Sequence, residues 1–150
     1  MSLDVYLKQP GTARLKWSSG IFVRENGATV EISREEWDRR YPGREPVTWN
    51  KGEVSDNCYH RNITHNLNAM AEAAGIYRHI WRPDEIGVTH ARMLIEPLAA
   101  GLCLLRGKPE LFERFNPENG WGSYDGLVAF VADYLKACID HPDAVVDVSR

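Results

Sequence analysis

The sequence predicts an α+β fold: a small, mostly antiparallel sheet, from an N-terminal hairpin plus a C-terminal strand, packed against a helical half. Three observations carry this prediction. Strand signals crowd the first third of the chain, helical spacing of apolar residues begins at Ile63, and the valine-rich stretch at residues 144–148 reads as a final strand. With 150 residues, 43% of them hydrophobic, the chain suits one domain spanning 1–150 that buries a core without help from a metal or disulfide.

Taken in order, Leu3 to Leu7 alternates apolar and polar residues and stops before Pro10-Gly11. Ile21 to Glu25 and Ala28 to Ile32 flank Asn26-Gly27, a pair that supplies the positive φ values of a type I′ turn. That turn sets Val23 against Val30 and Ile21 against Ile32. Ser33 followed by Glu36 is a capping box for a short helix through Trp37, ended by Pro42-Gly43. Val47-Thr48-Trp49 reads as a further strand. Apolar residues at Ile63, Leu67, Met70 and Ala74 predict a helix that starts near residue 62 and stops at Gly75. A short turn of helix from Ile76 to Trp81 precedes Arg82-Pro83. Thr89 is placed to cap a helix with the stripe Leu94, Leu98, Gly101, Leu102 and Leu105, bent or broken by Pro97. Pro109 opens another short helix through Phe115, and Ser123 caps the last one. Leu127, Phe130, Val131, Tyr134, Leu135 and Cys138 cover an arc too broad for a surface helix. A strand at residues 144–148, paired with the first, ties both chain ends into one sheet.

Charge narrows the function. A formal net charge of -3 leaves no basic footprint for non-specific nucleic acid binding. No run approaches a membrane span, and Met1-Ser2-Leu3 opens no signal peptide, so a cytoplasmic protein is expected. Cys58, Cys103 and Cys138 are three, far apart and without a C-x-x-C pair, which argues against a disulfide framework. Cys103 and Cys138 read as small core residues. No cofactor motif occurs: there is no Rossmann fingerprint, P-loop or G-x-S-x-G.

The chemistry concentrates in Cys58 to Asn66. On the predicted helix, Asn62, Asn66, Ala69 and Ala73 form a second strip beside the apolar one, with His65 at its border. A solvated face would carry Lys and Glu instead. The strip has three readings. Asn62 and Asn66 cap and pack; or Asn62, His65 and Asn66 line a pocket at a helix N-terminus, aided by Arg61, Arg78 and Arg82; or His65 is a general acid or base. Cys58, His60 and His65 are poorly spaced for zinc, so no metal is expected. His90 reads as a hydrogen-bonded core residue, His79 and His141 as surface residues.

A second cluster runs from Phe115 to Tyr124. Trp121, between two glycines, is expected to anchor this loop in the core, with an exposed stacking platform as the alternative. Trp121 and Tyr124 join Asn62, His65 and Asn66 as candidate ligand contacts.

Asn62-Ile63-Thr64-His65-Asn66-Leu67 with Met70-Ala71, Ala74-Gly75-Ile76-Tyr77 and Trp81-Arg82-Pro83 resembles a family of small uncharacterised proteins from bacterial and phage genomes. Phe115-Asn116-Pro117 and Asn119-Gly120-Trp121-Gly122 with Tyr124 resemble its second signature. The likeness covers Ile63 to Arg150, and the N-terminal hairpin more loosely. It implies an accessory or mobile-element role and transfers no catalytic residue. The expected function is a small accessory binding protein for a polar or anionic ligand, nucleotides among the candidates. The alternatives are a small hydrolase or lyase using His65 and a protein-interaction module acting on a host factor.

Overall fold

The computed structural model describes residues 1–16, 20–46 and 52–150. The strand expected at Val47-Thr48-Trp49 lies outside the described residues. In chain order the elements are β1 (Ser2–Lys8), β2 (Arg14–Lys16), β3 (Ile21–Glu25), β4 (Ala28–Ile32), α1 (Arg34–Arg40), β5 (Gly52–Val54) and β6 (Asn57–Thr64). The second half follows with α2 (Asn68–Ala73), α3 (Tyr77–Trp81), α4 (Arg92–Gly107), α5 (Pro109–Glu113), α6 (Tyr124–Asp140) and β7 (Val145–Ser149). The class is α+β. Residues 1–12 with 55–150 form one compact unit and residues 13–54 another.

In the larger unit the sheet order is β6-β1-β7, antiparallel throughout, so the N- and C-terminal strands pair as their sequences predict. Alternation along β1 buries Leu3, Val5 and Leu7 completely and turns Asp4, Tyr6 and Lys8 to the other face. The apolar face is covered by the helices. Leu94, Leu98, Gly101, Leu102 and Leu105 of α4 are all buried, and so are Leu127, Phe130, Val131, Tyr134 and Cys138 of α6. Burial also pushes the Cys138 thiol up to about 12. Cys103, off the α4 stripe, is exposed, which corrects its assignment to the core. The helix runs unbroken through Pro97. Pro97 is the sixth residue of α4 and gives up the amide bond that an interior residue makes to the carbonyl four positions back, yet the helix continues past it to Gly107. Thr89 does not cap it. The N-cap is Ala91, while the Thr89 hydroxyl meets His90 Nδ1 at 2.9 Å. His90 precedes α4 and is half-buried, and His79 is half-buried with its Nδ1 shielded and unpaired, not a surface residue.

The third strand of this sheet is not the hairpin. β6 occupies Asn57–Thr64, where the start of a helix was expected. The helical segment begins after it, as a 3-10 turn over His65–Leu67 that leads into α2. Ile63 still points inward, 5% exposed, but as a strand residue opposite Leu3.

In the smaller unit β3 and β4 pair in the expected register, with Asn26 and Gly27 at positive φ. Ser33 Oγ accepts from the Glu36 amide at 3.2 Å and starts α1. Arg40 ties α1 to Glu25 at the end of β3 and also pairs with Glu36 one turn back in α1. Ile21, Val23 and Ile32 make a small core with Trp37 against it. β2 and β5 form a second antiparallel pair.

Candidate functional site

Strand parity decides which residues of β6 meet the solvent side. Ser2 pairs with Thr64, Asp4 with Asn62 and Tyr6 with His60, so these six side chains share the open face of the sheet. Arg61, between them, points to the opposite face and donates to Asp133 Oδ2 at 2.9 Å. At the Thr64 end of this face lies a cleft of about 540 Å³ lined by Met1, Ser2, Asn62, Thr64, Asn66, Asn119 and Trp121. That volume suits a small-molecule site. Asn62, Asn66 and Trp121, which the sequence singled out, therefore come together here.

Each wall is held by a local bond. Thr64 Oγ1 accepts from the Asn66 amide at 3.3 Å and turns the chain out of β6. Asn66 Nδ2 reaches across to the 116–124 loop, donating to the Trp121 carbonyl at 3.2 Å and to Asn119 Oδ1 at 3.4 Å. Asn119 Oδ1 also accepts from the Trp121 amide at 3.0 Å. Gly122 lets the loop come close. A Cβ there would sit 2.8 Å from Thr64 Cγ2 and 3.0 Å from Leu67 Cγ, and its φ of +102° suits glycine alone.

The amides leave complementary groups over. Asn62 Nδ2 donates to Asp4 Oδ1 at 2.9 Å, and the acceptor-only carboxylate fixes that orientation. Among the described residues Asn62 Oδ1, Asn66 Oδ1 and Asn119 Nδ2 take no protein partner, nor does the Ser2 hydroxyl. The cleft thus offers two carbonyl acceptors, an amide donor and a hydroxyl. Hydrogen bonds from Asn62 and then His60, the latter at 3.1 Å, hold the Asp4 carboxyl below its ordinary value.

Trp121 is 72% exposed, which corrects its reading as a core anchor. Tyr124 fills that role. It is 8% exposed, its hydroxyl donates to the Leu105 carbonyl at 2.9 Å, and its amide donates to Asn116 Oδ1 at 2.6 Å. Tyr124 is thereby withdrawn from the ligand contacts.

His65 is also outside the cleft. Its Nδ1 accepts from Trp81 Nε1 at 3.1 Å, and Trp81 is 1% exposed. His65 satisfies a buried indole. Asn62 stands on a strand, not at a helix N-terminus, and Arg61, Arg78 and Arg82 do not line the cleft. Arg82 pairs with Glu85 at 2.9 Å, and Arg78 lines a separate hollow of about 360 Å³ with Ala69. None of the three arginines expected to attract an anionic ligand stands on the wall of the cleft. Among the described residues no three His, Cys, Asp or Glu side chains are placed to hold a metal.

Sequence reasoning missed Met1, Ser2, Thr64 and Asn119. Thr64 carried a signal, as a threonine placed to cap a turn. Ser2 and Asn119 become neighbours only through pairing across the sheet and across the loop. No protein-family model, curated protein or solved structure matches the chain.

Proposed function

We infer that the protein is a binding module whose cleft takes a small, uncharged, polar ring-bearing ligand, a sugar or nucleobase in type. The observation that carries this is the exposed Trp121 indole set beside three side-chain amides with unpaired groups. An indole face stacks on any flat ring, while amides read the ring's hydroxyl or amide edge. Among the described residues no Lys, Arg or His side chain lines the wall, and ionised Asp4 is bonded to Asn62 beside it, so a phosphate meets no basic side chain here. Catalysis by His65 lacks support, because its Nδ1 is committed to Trp81. A small binding module also suits the accessory role that the motif resemblance implies.

The test is a thermal melt against nucleosides, nucleotides and neutral sugars, since a ligand of the native state raises the melting temperature by mass action. At least one uncharged ring should stabilise the protein, with no further gain from a phosphate. Trp121→Ala should weaken that ligand by about 5- to 150-fold, the usual worth of one stacked ring. Trp121→Phe should keep part of the affinity. No shift with any ligand, or a shift that Trp121→Ala leaves intact, overturns the reading.

A further inference from the structure

The cleft is one end of a longer polar surface. From Ser2 to Tyr6 the strand advances about 13 Å, at roughly 3.3 Å per residue, so the open sheet face extends well beyond one ring. Along it stand Asp4, beside Asn62, and then a second aromatic surface: the Tyr6 and His60 rings stack at 4.6 Å between centroids, 10° from parallel. Asp4 and His60 keep 35% and 50% of their side chains exposed. Asp4 Oδ1 accepts from both Asn62 and His60, and Oδ2 takes no protein partner among the described residues.

We propose that the open face of β6 and β1 continues the cleft into an elongated site for an uncharged oligosaccharide, with Trp121 and the Tyr6–His60 pair as ring platforms and Asp4 between them. This rests on the cleft reading above and names its ligand class. A carboxylate with a spare oxygen accepts charge-assisted bonds from sugar hydroxyls. A single-stranded nucleic acid also stacks on spaced aromatic rings, but it brings a negative phosphate with every base past the Asp4 carboxylate. Lys8 on the same face is already paired with Asp147 at 2.6 Å, so the Asp4 carboxylate favours the neutral chain.

Calorimetric titration of the full chain decides it, with glucose and N-acetylglucosamine, their β-1,4-linked oligomers up to six rings, maltose oligomers to the same length, and uridine with a uridine hexanucleotide. The expected result is one glycan series whose affinity rises about tenfold or more from one ring to several. Tyr6→Ala should remove that gain, so that the longest glycan binds no tighter than the single ring. His60→Ala, which removes the other ring of the pair, is the second variant and should reduce the gain. Trp121→Ala should weaken every length. A glycan series without length dependence, a gain that both Tyr6→Ala and His60→Ala retain, or a hexanucleotide that outbinds every glycan overturns the proposal. A single sugar or uridine that binds through Trp121 with no gain from length removes the extension alone. No binding by any probe removes the cleft reading with it.

Discussion

Asn66 donates through Nδ2 to the backbone carbonyl of Trp121, 55 positions later in the chain, at 3.2 Å. The bond joins the exit of β6 to the loop before α6, and the cleft lies against that junction. It holds the loop by its backbone, which leaves the indole free of any structural duty.

Trp121 and Tyr124 should therefore respond in opposite ways to truncation. Trp121→Ala removes a side chain that is 72% exposed and should change stability by less than about 0.5 kcal/mol. Tyr124→Ala empties a core position and should cost about 3–5 kcal/mol. Tyr124→Phe, which loses only the bond to the Leu105 carbonyl, should cost about 1 kcal/mol. Denaturant melts of the three variants check this. A Trp121→Ala loss as large as that of Tyr124→Ala would contradict the assignment.

His65→Ala should destabilise the protein by about 1–3 kcal/mol, because it strands the buried Trp81 Nε1–H without an acceptor. In the Trp81→Phe background, where the donor is gone, the same substitution should cost much less. A double-mutant cycle measures the coupling. Additive losses would mean that the bond carries no weight.

These two predictions also mark what the sequence revealed. The Leu94 to Leu105 stripe, the broad apolar arc of α6 and the pairing of the terminal strands follow from periodicity, because each element buries one face against the core. β6 escaped because Ile63, Leu67, Met70 and Ala74 keep helical spacing across a strand-to-turn junction at Thr64. Its own alternation is masked, since Tyr59 and Arg61 share the inward face with Ile63 and reach Asp133 on α6. Asn62 and Asn66 were found as candidates for a reason that failed: they share no helix face. Side-chain composition marked them, and strand pairing with a turn brought them together. In the 116–124 loop, turn chemistry located the loop, but the size of Trp121 drew the anchor role that Tyr124 fills, because nothing in the sequence shows which ring turns inward.

Asp4 should shape the acid limb of stability. Hydrogen bonds from Asn62 and His60 lower its folded pKa beneath the ordinary value of 3.8, so the unfolded chain binds the proton more readily. The stabilising contribution is in place above that value and is lost as pH falls through the depressed folded pKa. Denaturant midpoints of wild type and Asp4→Asn, compared between about pH 6 and pH 2.5, should converge at the acid end. A gap between them that stays constant with pH would show that the carboxylate charge plays no part.

Gly122 offers the sharpest test of how the cleft is built. Its φ of +102° already strains any residue with a Cβ, and the Cβ itself would meet Thr64 Cγ2 at 2.8 Å and the Leu67 side chain at 3.0 and 3.1 Å. Leu67 is 2% exposed and cannot move aside cheaply, so the loop must lift instead. Lifting it pulls the Trp121 carbonyl and Asn119 Oδ1 away from Asn66 Nδ2 and widens the cleft between Asn66 and Trp121. Gly122→Ala should cost about 1–3 kcal/mol in stability and weaken any ligand that depends on Trp121. Gly120 has a similar positive φ, +71°, but open space around its Cβ position. Gly120→Ala is thus the control that carries backbone strain without the clash. If it matched Gly122→Ala in ligand affinity as well as in stability, strain alone would explain both effects. A larger loss of binding for Gly122→Ala than for Gly120→Ala identifies the close approach to Thr64 and Leu67 as what sets the position of Trp121.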